Sequence, residues 1–322
     1  MNRSFIFGMM LVAASGTFAA DQPVASEVWM ALPAKSGEAV DDLFSQPDKW
    51  KDARSRVDEV MFSTKENVSD RELKRWLPLA KGWGLKVALR SGIGQGSTKE
   101  VFDGLKEKMD RFAKDGGEID AIVLEKPMWS YVHQRGLTEE KAVEETSGVV
   151  AMIEKAYPNV RVGLMESFPQ FQLETIEDFV GKVQARITRE GGEEKARGLA
   201  MFQLEFNWAD KSLYAPTYVK WDTLDTMKQF CAKAHLIYGL RFAAAEYPQM
   251  REQGLADDMC WFVSTMYQEH EYKTTDGEPL PQYVIMSAES PKAKLLPDDT
   301  GYGYTRLVDM FCRRFLPENV RK

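Results

Sequence analysis

The sequence is poor in histidine and cysteine, with three residues of each among its 322. No two cysteines have the spacing that a structural zinc site requires. One disulfide among Cys231, Cys260 and Cys312 is compatible with the sequence, and so are three buried free thiols. A Ser-His-Asp hydrolase is poorly supported, because only His133 falls in a predicted strand-end loop and no G-x-S-x-G motif is present.

Excess positive charge and long apolar runs are also missing. The net charge of −7 argues against a nucleic-acid surface, which needs a basic stripe. The most apolar run, residues 5–12, follows Arg3, is too short to span a bilayer and precedes small residues up to Ala20. We therefore expect residues 1–20 to be a signal peptide, with an uncleaved anchor as the alternative. The chain would then be exported to the periplasm or the medium, with no membrane attachment after cleavage.

Eight short apolar runs alternate with amphipathic segments along the chain. The runs are nearly continuous, as expected of parallel strands buried on both faces. They cover residues 28–32, 57–63, 85–90, 119–124, 160–165, 199–204, 236–244 and 283–288. Segments such as 139–157 and 304–315 carry apolar residues at the three- and four-residue spacing of surface helices. This order predicts a single (β/α)8 barrel over residues 21–322, acting as the catalytic domain; an open doubly wound sheet would need fewer units.

Five of the predicted strands are followed at once, or nearly so, by a glutamate. These glutamates recur about every 40 residues, the length of one strand plus one helix. In a barrel, the carboxyl ends of the strands form the face that carries the chemistry. We therefore expect a ring of carboxylates at one mouth, although a salt bridge to a neighbouring cation is the alternative for each member. The five are Glu125, Glu166, Glu205, Glu246 and Glu289.

Carboxylates with almost no histidine favour acid/base chemistry on a sugar. In glycoside hydrolysis one carboxyl donates a proton to the leaving oxygen, while the other attacks the anomeric carbon or activates water. Aromatic side chains near the glutamates could stack on pyranose rings, although ordinary packing is the alternative for each. We expect a carbohydrate substrate, neither cofactor nor metal, and a binding site that includes Arg90, Trp129, Phe168, Asn207, Trp208, Tyr247 and Glu289.

Two of the glutamates carry a resemblance to known enzymes. The segments LEKP around Glu125 and AAEYP around Glu246 resemble the large clan of (β/α)8 glycoside hydrolases that has its acid/base at the end of strand four and its nucleophile at the end of strand seven. The resemblance implies that Glu125 is the acid/base and Glu246 the nucleophile. The sequence differs from the clan at Leu124, where an asparagine is usual, and at Lys126, which separates Glu125 from Pro127.

Two cations near Glu125 bear on this assignment. Arg90 and Lys126 would keep nearby carboxylates ionised, whereas a general acid needs a raised pKa. Glu166 and Glu205 are therefore the alternatives to Glu125 as the acid.

Two other functions fit the same residues. Barrels similar to the xylose-isomerase group bind a divalent metal through strand-end carboxylates, here Glu125, Glu166, Glu205 and Glu289, and would isomerise, epimerise or eliminate at a sugar. A non-catalytic barrel would instead bind a sugar through its aromatic side chains, with every glutamate held by an arginine or lysine.

Overall fold

Eight parallel strands close into a barrel in this computed structural model. The structure describes residues 26–33, 37–64, 68–93, 96–168, 170–190, 198–206, 224–243, 281–287 and 294–317. Each strand pairs with its neighbours in chain order, and the first pairs with the last. The strands are β1 (Glu27–Ala31), β2 (Glu59–Ser63), β3 (Lys86–Gly92), β4 (Ile119–Glu125), β5 (Arg161–Phe168), β6 (Met201–Phe206), β7 (Ile237–Ala243) and β8 (Tyr283–Ser287). The predicted (β/α)8 barrel is confirmed, with strand ends displaced by about three residues at most.

Helices cover the outside of the barrel. Those in the described ranges are α1 (Gly37–Ser45), α2 (Lys51–Arg54), α3 (Asp70–Gly82), α4 (Thr98–Lys114), α5 (Glu139–Ala156), α6 (Leu173–Glu190), α7 (Leu224–Lys233) and α8 (Tyr304–Phe315), with a 3-10 turn at Pro47–Trp50 and a π-helix at Trp129–Gln134. Ser69 and Ser97 begin α3 and α4 with capping boxes, and Thr138 caps α5. These side chains satisfy N–H groups that the first helical turn leaves unpaired. No helix in the described ranges is both long and apolar enough to cross a membrane.

The apolar interior has two parts. An outer core lies between the strands and the helices, and a second cluster fills the barrel lumen around Trp29, Met165, Met201 and Tyr283. A Cβ atom at position 239 would lie 2.2 Å from Cζ of Tyr283, so this strand position requires glycine. The lumen is therefore filled by packed side chains, with charged residues at its two ends and Gln203 of β6 buried between them.

Two further expectations concern the termini and the cysteines. The predicted signal peptide, residues 1–20, lies outside the described residues and stays a prediction. Cys231 and Cys312 are buried free thiols, and Cys260 lies outside the described residues.

Candidate active site

Charged side chains line the lumen at the carboxyl ends of the strands. Successive side chains of a strand point to opposite faces, so residues two apart share a face. Arg90 comes two residues after Ala88, and Glu125 comes two residues after Val123; both Ala88 and Val123 face the lumen. Glu205 and Arg241 belong to the same end, where they pair with each other across β6 and β7. We call this end, with Lys126 beside it, the open mouth.

Glu205 is held by three donors. Its Oε1 accepts a hydrogen bond from Nη1 of Arg241 at 2.9 Å, and its Oε2 accepts one from the Ser167 hydroxyl and lies 2.5 Å from Nζ of Lys126. Burial by itself would raise the pKa of Glu205, but the charges of Arg241 and Lys126 outweigh burial and hold the pKa well below its usual range. Glu205 is therefore a fixed negative charge at neutral pH.

Arg241 connects three strands at the mouth. Its side chain is fully buried; besides Glu205 it contacts Sδ of Met165 at 3.2 Å and donates to the hydroxyl of Ser287 at 2.7 Å. Arg241 was not among the site residues predicted from the sequence. The signal was present, because a charged residue inside an apolar strand must find a buried partner.

Glu125 occupies a more open position. Its Oε1 lies 3.7 Å from Nη1 of Arg90, an ion-pair distance beyond that of a hydrogen bond. Its side chain is 13% exposed, compared with 6% for Glu205. Lys126 was expected to act on nearby carboxylates, and it pairs with Glu205 two strands away. Of the strand-end glutamates that the structure describes, Glu125 is the most accessible to a substrate.

Glu166 lies behind the mouth. It lies on the same face of β5 as Leu164 and Phe168, which belong to the outer core. The preceding residue, Met165, faces the lumen, so Glu166 points away from the lumen. Burial raises the pKa of Glu166 to about 8, so its carboxyl is mostly protonated at neutral pH. Glu166 and Phe168 were both predicted to lie at the sugar site, but in the structure both face the helices.

Three aromatic rings lie together, the first of them four residues after Glu125 in the chain. Trp129 stacks on His133 with ring centroids 4.8 Å apart and planes at 21°, and Phe171 lies 6.4 Å from Trp129 and 5.2 Å from His133. We call these rings the aromatic platform. They follow β4 and β5, and all are at least partly exposed. Such a surface can pack against the apolar face of a sugar ring.

Several predicted site residues lie outside the described residues, and their roles stay predictions: Asn207, Trp208, Glu246, Tyr247 and Glu289. Within the described ranges, no three histidine, cysteine, aspartate or glutamate side chains are grouped so that they could hold a metal ion. Of the four glutamates in the metal hypothesis, Glu125 and Glu205 belong to the open mouth, Glu166 faces away from it and Glu289 is not described.

Comparisons with known proteins agree on the fold. No protein-family model matches the chain, and no curated protein matches it. Among solved structures, it is similar to a glucosidase from Croceicoccus marinus (11% identity, TM-score 0.53, 89% of this chain and 67% of that one). It is also similar to a GH10 endoxylanase from a sugarcane soil metagenome (10% identity, TM-score 0.50, 89% and 97%). A 3-deoxy-D-arabino-heptulosonate 7-phosphate synthase from Thermotoga maritima aligns at 10% identity and a TM-score of 0.48, over 93% and 90% of the two chains. At these identities the likeness to the glucosidase and the endoxylanase shows the barrel fold alone.

Proposed function

We propose that this protein is an exported glycoside hydrolase-like enzyme that cleaves a glycosidic bond at the open mouth. The observation that carries the proposal is the position of Glu125, a partly exposed carboxyl at the end of β4 with the aromatic platform beginning four residues later. A sugar whose apolar face packs on Trp129 would bring a glycosidic oxygen near this carboxyl. Export is proposed because residues 1–20 have the pattern of a signal peptide.

In this proposal Glu125 is the general acid/base. It donates its proton to the leaving oxygen, which departs as an alcohol. Glu246 is the partner carboxylate, as the resemblance implies. It attacks the anomeric carbon when the carboxyls are about 5–5.5 Å apart, or activates water when they are about 6.5–9.5 Å apart. Glu205 stays ionised and holds Lys126 and Arg241 in place.

A defined pair of substrates tests the role of Glu125. In Glu125→Gln, activity on a glycoside with a poor leaving group should fall by about 10²–10⁴-fold, the usual contribution of acid/base catalysis. Activity on a dinitrophenyl glycoside should fall much less, because that leaving group needs no proton. Glu118→Gln is the matched control: Glu118 immediately precedes β4 at the opposite end, and its side chain is 87% exposed.

The first measurement is a screen of the purified protein against aryl glycosides and polysaccharides, with and without a chelator. The acid/base proposal is abandoned if Glu125→Gln turns over both substrates as the wild type does. Activity that the chelator removes would point to the metal-dependent alternative. Glu246→Gln should abolish turnover while the fold survives, and retained turnover would remove Glu246 as the partner.

One observation favours a second function, a non-catalytic sugar-binding barrel. Both described glutamates of the open mouth are paired with cations, Glu125 with Arg90 and Glu205 with Arg241 and Lys126. Calorimetry with the same polysaccharides separates the two functions. Binding without turnover of any glycoside supports the binding barrel, and turnover supports the hydrolase.

A further inference from the structure

The turn that follows β4 is fixed by contacts from two neighbouring strands. Lys126 adopts a left-handed backbone conformation with a φ of 52°, which costs free energy for a residue other than glycine. Its N–H donates to the carbonyl of Met165 on β5 at 2.7 Å, and its ammonium group pairs with Glu205 on β6. A left-handed lysine is therefore maintained by its surroundings rather than by its own preference.

The next contact comes from Glu166. Pro127 has no N–H, so the first donor of the short helical segment that begins there is the N–H of Met128. This N–H donates to Oε1 of Glu166 at 2.7 Å, and the side chain of Glu166 is fully buried. A carboxyl from β5 thus caps a helical segment that follows β4. The Ser130 N–H donates to the carbonyl of Lys126 at 2.9 Å, and this hydrogen bond closes the turn that contains Trp129.

We propose that Glu166 is a positioning residue that fixes the turn from Lys126 to Met128 and thereby sets where Glu125 and Trp129 stand at the open mouth. The turn has Glu125 directly before it and Trp129 directly after it. If the Met128 N–H lost its acceptor, a buried donor would be unsatisfied and the turn would relax. The proposal rests on the proposed function for the roles of Glu125 and Trp129, but not for the behaviour of the turn.

The surroundings of Glu166 favour a neutral carboxyl in this role. Its Oε2 is buried and has no hydrogen-bond partner among the described residues, so a negative charge there would be poorly solvated. The charges that act on it are Lys126, which favours the ionised form, and Glu205, which opposes it. A protonated carboxyl still accepts the Met128 N–H through Oε1, and the amide of a glutamine can do the same.

Two variants show whether Glu166 acts by accepting this hydrogen bond or only by filling space. Glu166→Leu fills the site, whose same-face neighbours Leu164 and Phe168 are apolar, but provides no acceptor. Glu166→Gln keeps an acceptor. Glu59→Gln is the control, because Glu59 is equally buried but lies at the start of β2. Hydrogen exchange of the Met128 amide is followed by mass spectrometry of overlapping peptides that begin before residue 126, such as 121–135, because the first two residues of a peptide lose their label.

In Glu166→Leu the Met128 amide should exchange about tenfold faster or more, because its buried hydrogen bond is lost. In Glu166→Gln and Glu59→Gln the exchange should stay within about twofold of the wild type. On a cleavable glycoside, Glu166→Leu should lower kcat by about tenfold or more, since small displacements of a catalytic group are costly, and Glu166→Gln should restore it.

Unchanged exchange of the Met128 amide in Glu166→Leu would overturn the proposal. If Glu166→Leu does not fold, Glu166→Met takes its place, because its flexible side chain fills the site without a carboxyl or amide oxygen; unchanged exchange of the Met128 amide in that variant has the same meaning. The exchange measurement needs no substrate. A protein without glycosidase activity would therefore remove the proposed function and leave the test of the turn intact.

Discussion

Both ends of the barrel lumen carry charged side chains. In the part of the chain that the structure describes, acidic side chains outnumber basic ones at the closed end, and basic ones outnumber acidic ones at the open mouth. At the closed end, where the strands begin, Arg161 bonds Asp120 through Nε at 2.8 Å and Glu59 at 3.0 Å, and lies 3.8 Å from Glu27. Lys86 pairs with Glu27 at 3.3 Å. Three carboxylates thus share two cations there.

At the open mouth the ratio is reversed among the described residues. Arg90, Lys126 and Arg241 act on Glu125 and Glu205. The outcome for a buried glutamate differs accordingly. Burial raises the pKa of Glu59 well above its usual value despite Arg161, whereas Arg241 and Lys126 lower that of Glu205 despite burial. Burial alone therefore does not decide the pKa of a glutamate in this lumen; the balance of cations and carboxylates around it does.

The largest expected effect comes from removing the central arginine at each end. Arg241→Met should lower the free energy of unfolding by about 3–5 kcal/mol, because it leaves the buried charge of Glu205 with less compensation. Arg161→Met should cost less than half as much, because the Arg161 side chain is 23% exposed and those of its partners Glu27 and Asp120 are 30% exposed, so water compensates for part of the lost charge. Urea unfolding at pH 7 measures both variants. A loss in Arg161→Met equal to that in Arg241→Met would contradict the comparison.

An effect that is smaller per pH unit is expected in the pH dependence of stability. The pKa of Glu166 is about 8 in the fold against 4.5 as its ordinary value, so between these pH values the unfolded chain releases a proton that the folded chain keeps. Stability due to this group is fully present below about pH 4.5 and is lost as the pH rises towards 8. In Glu166→Gln the decline in unfolding free energy over this range should be shallower by up to about 1.4 kcal/mol per pH unit.

Glu59→Gln extends the same measurement to the closed end. The pKa of Glu59 is also raised, chiefly by burial, with Arg161 and Lys86 acting against Asp120 and Glu27, so its removal should flatten the curve in the same direction. The two substitutions should add, because they lie at opposite ends of the barrel. Glu205 acts in the opposite sense and only at acidic pH, since its pKa is lowered. A curve for Glu166→Gln parallel to that of the wild type would contradict the assignment of a neutral Glu166.

The sequence predicted the barrel and most strand ends because apolar runs and helical spacing repeat eight times. It could not predict which way a strand-end glutamate faces. Strands buried on both faces are apolar at every position, so they show no alternation that would separate Glu166 from Glu205. Contacts between strands could not be predicted either. Lys126 and Glu205 are far apart in the sequence, and they pair only because the fold brings their strands together.

The closed-end cluster was missed for a different reason. Charged site residues were predicted only where strands end, whereas Glu27, Glu59 and Arg161 are the first residues of their strands. A charged residue at the first position of an apolar run looks like an ordinary boundary. In the structure these first positions meet around one arginine, which could be expected only after the barrel had been assumed to close.

The smallest expected effect tests whether the aromatic platform belongs to the mouth in function as well as in position. Trp129→Ala should raise KM, or the Kd of a bound sugar, by about threefold to tenfold, corresponding to about 0.5–1.5 kcal/mol for one ring contact, with kcat little changed. Trp83→Ala is the matched control. Trp83 is also a partly buried indole, but it stacks on Phe44 at 5.5 Å just before β3, at the closed end.

Titration calorimetry or initial rates measure the two tryptophan variants alongside their thermal unfolding. Trp83→Ala should lower the unfolding temperature and leave sugar affinity unchanged, because its ring packs on Phe44 and carries the guanidinium of Arg54 at 4.6 Å. Equal changes in KM for both variants would mean that the loss of Trp129 acts through the stability of the barrel. In that case the aromatic platform would only hold together the segments that follow β4 and β5. The two ends of the barrel would then differ in their charges alone.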